Sequence, residues 1–183
     1  TNYEPSAAEL NNNHMACYVS QAASGVHYKM GHYATSPLQN ISAIRAPAGQ
    51  TTFYNNSSTG SSPTSTWNDI GLYAQSRSDS ASVASRVTGT SYPLYFASTA
   101  VPPMPLFVFA ANLNSGTAYN KYDGGFAFYS IGTSLSPEDL DTAVTNLINR
   151  LKFALLVGEN PSGLDPDTID YIVRGYEAGG SLE

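Results

Sequence analysis

Gly124-Gly125-Phe126-Ala127-Phe128-Tyr129-Ser130-Ile131-Gly132-Thr133-Ser134-Leu135-Ser136, followed directly by Pro137-Glu138-Asp139, is where the chain changes character. Up to Ile131 aromatic and small residues run without a charge and close on a glycine turn, which is the pattern of a strand. Ser136 then offers a hydroxyl to cap a helix, Pro137 suits the first helical position, and Glu138 and Asp139 lie at the positive end of the helix dipole. Leu140, Val144, Leu147, Leu151 and Leu155 recur at helical spacing until Gly158. That periodicity predicts one long helix with one apolar face.

Upstream of this junction the pattern is short alternating or aromatic-rich runs punctuated by Gly, Pro, Asn and Ser. It predicts strands over Met15–Gln21, Tyr28–Tyr33, Ile41–Arg45, Thr51–Tyr54, Ile70–Arg77, Ala81–Thr88, Tyr92–Ala97, Phe107–Ala111 and Gly125–Ile131. Strands at this spacing favour an all-β fold, an antiparallel two-layer sandwich. The Ser/Thr-rich stretch Asn55–Thr66 is too polar to order itself and is expected to be an exposed loop. Pro102, Pro103 and Pro105 remove backbone donors and should stiffen the entry to the Phe107 strand. Past the helix, Asp165-Pro166-Asp167 opens a shorter helical pattern with Ile169, Ile172, Val173 and Tyr176 on one side, ending at Gly179-Gly180. Residues 1–158 are therefore expected to form the sandwich with its closing helix, and 159–183 an acidic extension.

The chain has 183 residues, enough for one core. Charged residues make up 12% and hydrophobic residues 42%, and the aromatic set of 13 Tyr, 7 Phe and 1 Trp is dominated by tyrosine. No apolar run approaches the roughly 20 residues that span a bilayer, so membrane insertion is not expected. The net charge of −6 is unevenly placed: Thr1–Leu135 is neutral, whereas Glu159–Glu183 carries six acids against Arg174. Scattered bases provide no cationic face, which argues against nucleic acid. Cys17 is the single cysteine, can form no internal bridge, and reads as a small buried apolar residue.

The Gly124–Ser136 stretch with its following helix resembles the closing segment of laminin-G-like (concanavalin A-like) jelly-roll modules, and more narrowly the divergent modules of tailed-phage virion proteins. Three further stretches fit that group: Asn11-Asn12-Asn13-His14-Met15, Gly71-Leu72-Tyr73-Ala74-Gln75-Ser76-Arg77 with a hairpin through Gly89, and Phe107-Val108-Phe109-Ala110-Ala111-Asn112. The resemblance spans roughly residues 11–158. It implies a jelly-roll sandwich in a virion, in the tail or a fibre, used for host-surface glycan contact or for assembly with other virion subunits as a homo-oligomer, without catalysis or cofactor. Such modules begin with a further strand, so Thr1 is expected to be a processed or truncated end.

Candidate chemistry is sparse. Between Met15 and Leu135 the carboxylates are Asp69, Asp79 and Asp123, which leaves no pair for acid and base in glycoside hydrolysis. No Gly-x-Ser-x-Gly elbow precedes a helix, and Ser134 reads as a turn residue. His14, His27 and His32 have no cysteine or carboxylate close in sequence, so structural or surface roles are expected rather than a metal site. There is no phosphate loop and no calcium loop. Glycan contact needs aromatic faces for sugar C–H groups with amide, hydroxyl or carboxylate partners on loops. Asn112, Asn114, Tyr119, Asn120, Tyr122 and Asp123 form the richer candidate, and Tyr54-Asn55-Asn56 with Trp67, Asn68 and Asp69 the other. The Ile169/Ile172/Val173/Tyr176 stripe is the candidate partner-docking element, either on its own domain or in a neighbour's groove. A purely structural virion subunit is the competing expectation.

Overall fold

The computed structural model describes residues 6–35, 40–46, 50–64, 70–114 and 116–159. In chain order the elements are β1 (Asn13–Gln21), β2 (His27–Ala34), β3 (Asn40–Ala46), β4 (Thr51–Ser57), β5 (Ser61–Thr64), β6 (Gly71–Arg77), β7 (Ser82–Val87), β8 (Thr90–Tyr95), β9 (Phe107–Val108), β10 (Ala111–Leu113), β11 (Thr117–Tyr119), β12 (Gly125–Gly132) and helix α1 (Pro137–Glu159), after a short 3-10 turn at Ala7–Glu9. The strands form two sheets stacked as a jelly-roll-like sandwich. One sheet has five strands in the order β12-β1-β6-β7-β8, and the other runs β11-β10-β2-β3-β4-β5 with β9 also on β2. The chain divides into two compact units, Thr1–Thr145 and Asn146–Glu183. The first holds the sandwich and the opening turns of α1; the described part of the second is the remainder of that helix.

Alternation along the strands builds the core. Met15, Cys17 and Val19 of β1, Tyr73 of β6, Val83 and Val87 of β7 and Leu94 of β8 meet Met30, Ile44 and Phe53 of the other sheet. Cys17 lies in this layer with no exposure, and burial pushes its thiol up to about 12. Two cations are buried too. Lys29 Nζ sits 4.3 Å above the Tyr73 ring, and Arg77 donates to the Phe96 carbonyl at 3.0 Å while stacking on that ring. Gln75 reaches between the sheets and donates to the Tyr54 carbonyl at 2.7 Å.

Several expectations are corrected. The stretch Asn55–Thr66 is not one exposed loop: Asn55, Asn56 and Ser57 are buried in β4, and Ser61–Thr64 pairs with it as β5. β-pairing and side-chain bonds, not apolar burial, order it. The expected strand over Phe107–Ala111 is broken in two. Phe109 adopts φ +67, which reverses the chain so that β9 runs antiparallel to β2 and β10 runs parallel to it. The sheets are otherwise antiparallel. Thr117–Tyr119, read as loop, is the edge strand β11. On α1, Val144 and Ile148 are buried, whereas Leu147 and Leu151, expected on the apolar face, are about half exposed.

A left-handed backbone at a bulky residue is costly, on the order of 1–3 kcal/mol, and needs compensation. Phe109 has it: its ring stacks on Phe126 at 4.3 Å, Phe126 stacks on Tyr122 at 4.8 Å, and Phe109 N donates to the Lys29 carbonyl at 2.9 Å. The neighbouring Gly124 is required by the same packing, because a Cβ there would collide with the Gln21 carbonyl and the Tyr122 ring. Phe109→Ala keeps the strained backbone and removes the stack. It is expected to lower unfolding stability by about 1–2 kcal/mol, read as an earlier urea midpoint with an unchanged slope.

Candidate functional site

The run Asn11–His14 carries four polar side chains into β1, and between them they fasten three other segments. Asn11 Oδ1 accepts from Ser98 Oγ at 2.7 Å, and Asn13 Nδ2 donates to the Glu9 carbonyl at 2.7 Å. Asn12 Oδ1 accepts from Ser134 N and Ser134 Oγ at 2.9 and 2.7 Å. His14 Nδ1 lies 2.6 Å from the Thr133 carbonyl, which can only accept, so Nδ1 carries the proton and Nε2 accepts from Ser130 Oγ at 2.7 Å. Leu135 N adds a bond to Ser76 Oγ, and Ser136 Oγ accepts from Asp139 N as the helix cap. Two of the stretches that carry the resemblance, Asn11–Met15 and Gly124–Ser136, thus lock into one another.

The His14–Ser130 contact has the form in which a base holds a nucleophile's proton. Its surroundings give it a different use. His14 is only 6% exposed, its other nitrogen is held by a carbonyl, and no carboxylate hydrogen bond orients it. His27 and His32 are fully buried on β2; His32 Nδ1 faces the Met104 carbonyl at 3.2 Å and His27 Nδ1 the Gly25 carbonyl at 2.9 Å, while the His27 ring meets Tyr122 edge-on. Among the described residues no group of three or more His, Cys, Asp or Glu is placed to hold a metal.

Burial disfavours the imidazolium and pulls His27 and His32 down to about 4, with the Lys29 charge adding to the effect on His27; His14 is lowered for the same reason. Unfolded, these rings take up protons from the ordinary value of 6.5 downward, whereas the folded protein resists until about 4. The unfolded state therefore binds more protons in that window, and stability falls as pH drops through it, by on the order of 2–3 kcal/mol for each fully buried ring. Urea titrations at stepped pH between 7.5 and 4 check this, and His32→Gln is expected to flatten the slope.

The structure uses most of the predicted loop residues internally. Asn112 is 1% exposed, donating to the Pro105 carbonyl at 2.7 Å and accepting from Gly116 N. Tyr122 is 5% exposed and donates to the Gln21 carbonyl at 2.8 Å. Neither offers a surface to a sugar, which corrects their place in the candidate site; both were read as loop residues when their side chains face inward. Asn114, with φ +49, accepts from Thr35 N and Oγ1 at 2.9 Å, and Asn120, with φ +43, accepts from Tyr28 N through its carbonyl. Asp123 accepts from Ser24 N and Oγ at 3.0 Å, and these bonds hold its carboxyl below the usual range. Tyr119 is exposed beside Tyr28, their ring centres 6.0 Å apart. Asn55 and Asn56 are buried, and Asn56 donates to the Glu9 and Leu10 carbonyls. Trp67, Asn68 and Asp69 lie outside the described residues, as do Ile169, Ile172, Val173 and Tyr176.

A different surface brings the right chemistry together. On the outward side of β7 and β8, opposed pairs Ser82–Tyr95 and Ala84–Pro93 form the floor of an open groove of about 580 Å³. Its far wall is the segment Ser134–Glu138. Tyr95 is 80% exposed, the most exposed large apolar side chain described. Ser91 accepts from Arg86 and Ser136 from Asp139 N, which leaves their hydroxyl protons available. Glu138 is the single carboxylate on the wall. The sequence carried a signal for this site in the alternation Ser91-Tyr92-Pro93-Leu94-Tyr95, whose outward set is Ser91, Pro93 and Tyr95, but nothing local showed that the turn before the helix would face it.

Two further carboxylates among the described residues are engaged locally. Asp79 accepts from Ala81 N and Ser82 N, and Asp141 pairs with Arg86 at 2.7 Å. With the geometry in place, the chain matches no protein-family model, and no curated protein matches it.

Proposed function

We propose that this protein is a non-catalytic carbohydrate-contacting module of the kind carried in tailed-phage virions, and that it holds a host-surface glycan in the groove over β7 and β8. The observation that carries the reading is Tyr95: a tyrosine 80% exposed beside Pro93, on the floor of a groove edged with serine hydroxyls. Sugar C–H faces stack on such flat apolar groups, and their hydroxyls pair with short neutral donors and acceptors without the desolvation cost of burying a charge. An open groove suits a polymer chain lying across it rather than an enclosed monosaccharide.

Absence of catalysis is supported by how the carboxylates are placed. Asp79, Asp123 and Asp141 are each committed to local bonds, and Glu138 is the single carboxylate among the residues that line the groove. Hydrolysis by paired carboxylates needs two, separated by a substrate bond. The virion setting follows from the resemblance of residues 11–158.

Binding to a glycan array and to host envelope polysaccharide tests the proposal. Tyr95→Ala is expected to weaken saturable binding by at least about tenfold, whereas Tyr119→Ala leaves it unchanged. The reverse pattern moves the sugar to the β11–β12 loop. No saturable binding to any host preparation rejects the glycan reading and leaves an assembly subunit; release of reducing ends rejects the non-catalytic part.

A further inference from the structure

Arg45 of β3 carries a charge that the described residues leave unanswered. Arg86 pairs with Asp141, whereas the Arg45 side chain has neither an ion pair nor a hydrogen bond among them, and its Nε is buried without a partner. What it meets is an aromatic ring: its guanidinium carbon lies 5.5 Å from the centre of the Tyr28 ring, on the residue directly opposite in β2. Alternation along β3 and β4 turns Ile44 and Phe53 into the core between the sheets, and Ala43, Arg45 and Tyr54 to the outer face of their own sheet. On that face Ala43 and Ala111 are fully buried beside Tyr28, and the half-buried rings of Tyr33 and Tyr54 pack against the three. Tyr119, opposite Ala111 on β11, stands exposed with its ring centre 6.0 Å from that of Tyr28. Tyr28 lies within electrostatic reach of Arg45, Tyr33, Tyr54 and Tyr119, and burial pushes its hydroxyl up to about 12, so it stays protonated and able to donate. The face thus combines a floor of small side chains, walls of tyrosine and one base.

We propose that this face binds the carboxylate of a ring-bearing acid, with Arg45 taking the charge and the tyrosines the ring. The planar fork of a guanidinium matches a carboxylate in shape, and an aromatic ring beside it fixes its plane. A cation set against aromatic rings is poorly hydrated, so a pairing anion gains more there than in open water. One base suits one negative charge, and the chain's net charge of −6 disfavours a dianion such as phosphate. Tyrosine faces around Ala43 and Ala111 supply the flat apolar contact that an aromatic ring, or the C–H face of a sugar, requires.

The site does not depend on the glycan groove, which lies on the other sheet. Titration of the full chain with sodium benzoate, glucuronate, acetate and sulfate, followed by NMR, tests it. At least one of the two ring acids is expected to saturate the protein and to shift the Arg45 Nε–H and Tyr28 resonances, with acetate and sulfate at least about tenfold weaker. Tighter benzoate identifies an aromatic acid as the ligand class, and tighter glucuronate a sugar acid. Arg45→Gln is expected to weaken binding by at least about tenfold with circular dichroism unchanged, and Tyr95→Ala to leave it as it was. The proposal is overturned if neither ring acid saturates, if sulfate or acetate binds equally well, or if Arg45→Gln binds like wild type. Loss of binding in Tyr95→Ala also overturns it, because the acid then sits in the groove. Should Arg45→Gln unfold, the wild-type shift map decides: perturbations that include Arg45 and Tyr28 support the site, and a map without them rejects it.

Discussion

The fold depends on how its last strand is fastened to its first. β12 closes the five-stranded sheet against β1, and the polar side chains of Asn12 and His14 reach across to Ser130, Thr133 and Ser134 at the turn that follows. Those contacts join residues more than a hundred positions apart, so closing them costs chain entropy that the rest of the sandwich must offset. They also aim the chain: with Ser134 held by Asn12 and Leu135 N by Ser76, Ser136 stands where it can cap α1, and Asp141 arrives beside Arg86. A neutral His14 is essential to this junction, since an imidazolium could not accept the Ser130 proton.

The same economy explains what the molecule leaves on its surface. Among the described residues, asparagines and serines pin loops to strands, Asp79 and Asp123 satisfy turns, and Asp141 pairs with Arg86. Lys29 and Arg77, which would otherwise supply surface charge, are buried against aromatic rings and backbone carbonyls. Hydroxyls, small side chains and the tyrosines Tyr95, Tyr119 and Tyr129 are prominent on what remains outward.

Groove and free edge have a common origin. The turn Gly132–Ser136 lifts the chain off β12 and carries it over the outer face of the five-stranded sheet, which walls the groove on one side and leaves β12 as the end strand of that sheet among the described residues. One backbone event therefore produces both features. Phe109 plays a comparable part in the other sheet, where a single left-handed residue turns what would be one strand into an antiparallel and a parallel segment on β2.

Much of the architecture was legible in the order of residues. Nine segments read from alternating or aromatic-rich runs fall on ten of the twelve described strands, β9 and β10 being read as one, and Ser136-Pro137-Glu138-Asp139 marked the helix start, because these are local steric and capping preferences that need no partner. β5 and β11 escaped, since their polar residues are ordered by pairing with β4 and β10 and show no apolar period. The candidate site was legible only in part. Asn112 and Tyr122 have the composition of a binding loop, but their side chains point inward, a matter of strand register that composition does not encode. Tyr95 and the serines around it are scattered over positions 76 to 138 and become one surface only when β6, β7, β8 and the turn before α1 are laid side by side. Sequence determines local conformation through propensity and period, whereas a site assembled from distant segments is decided by which strands become neighbours, and only the tertiary structure holds that information.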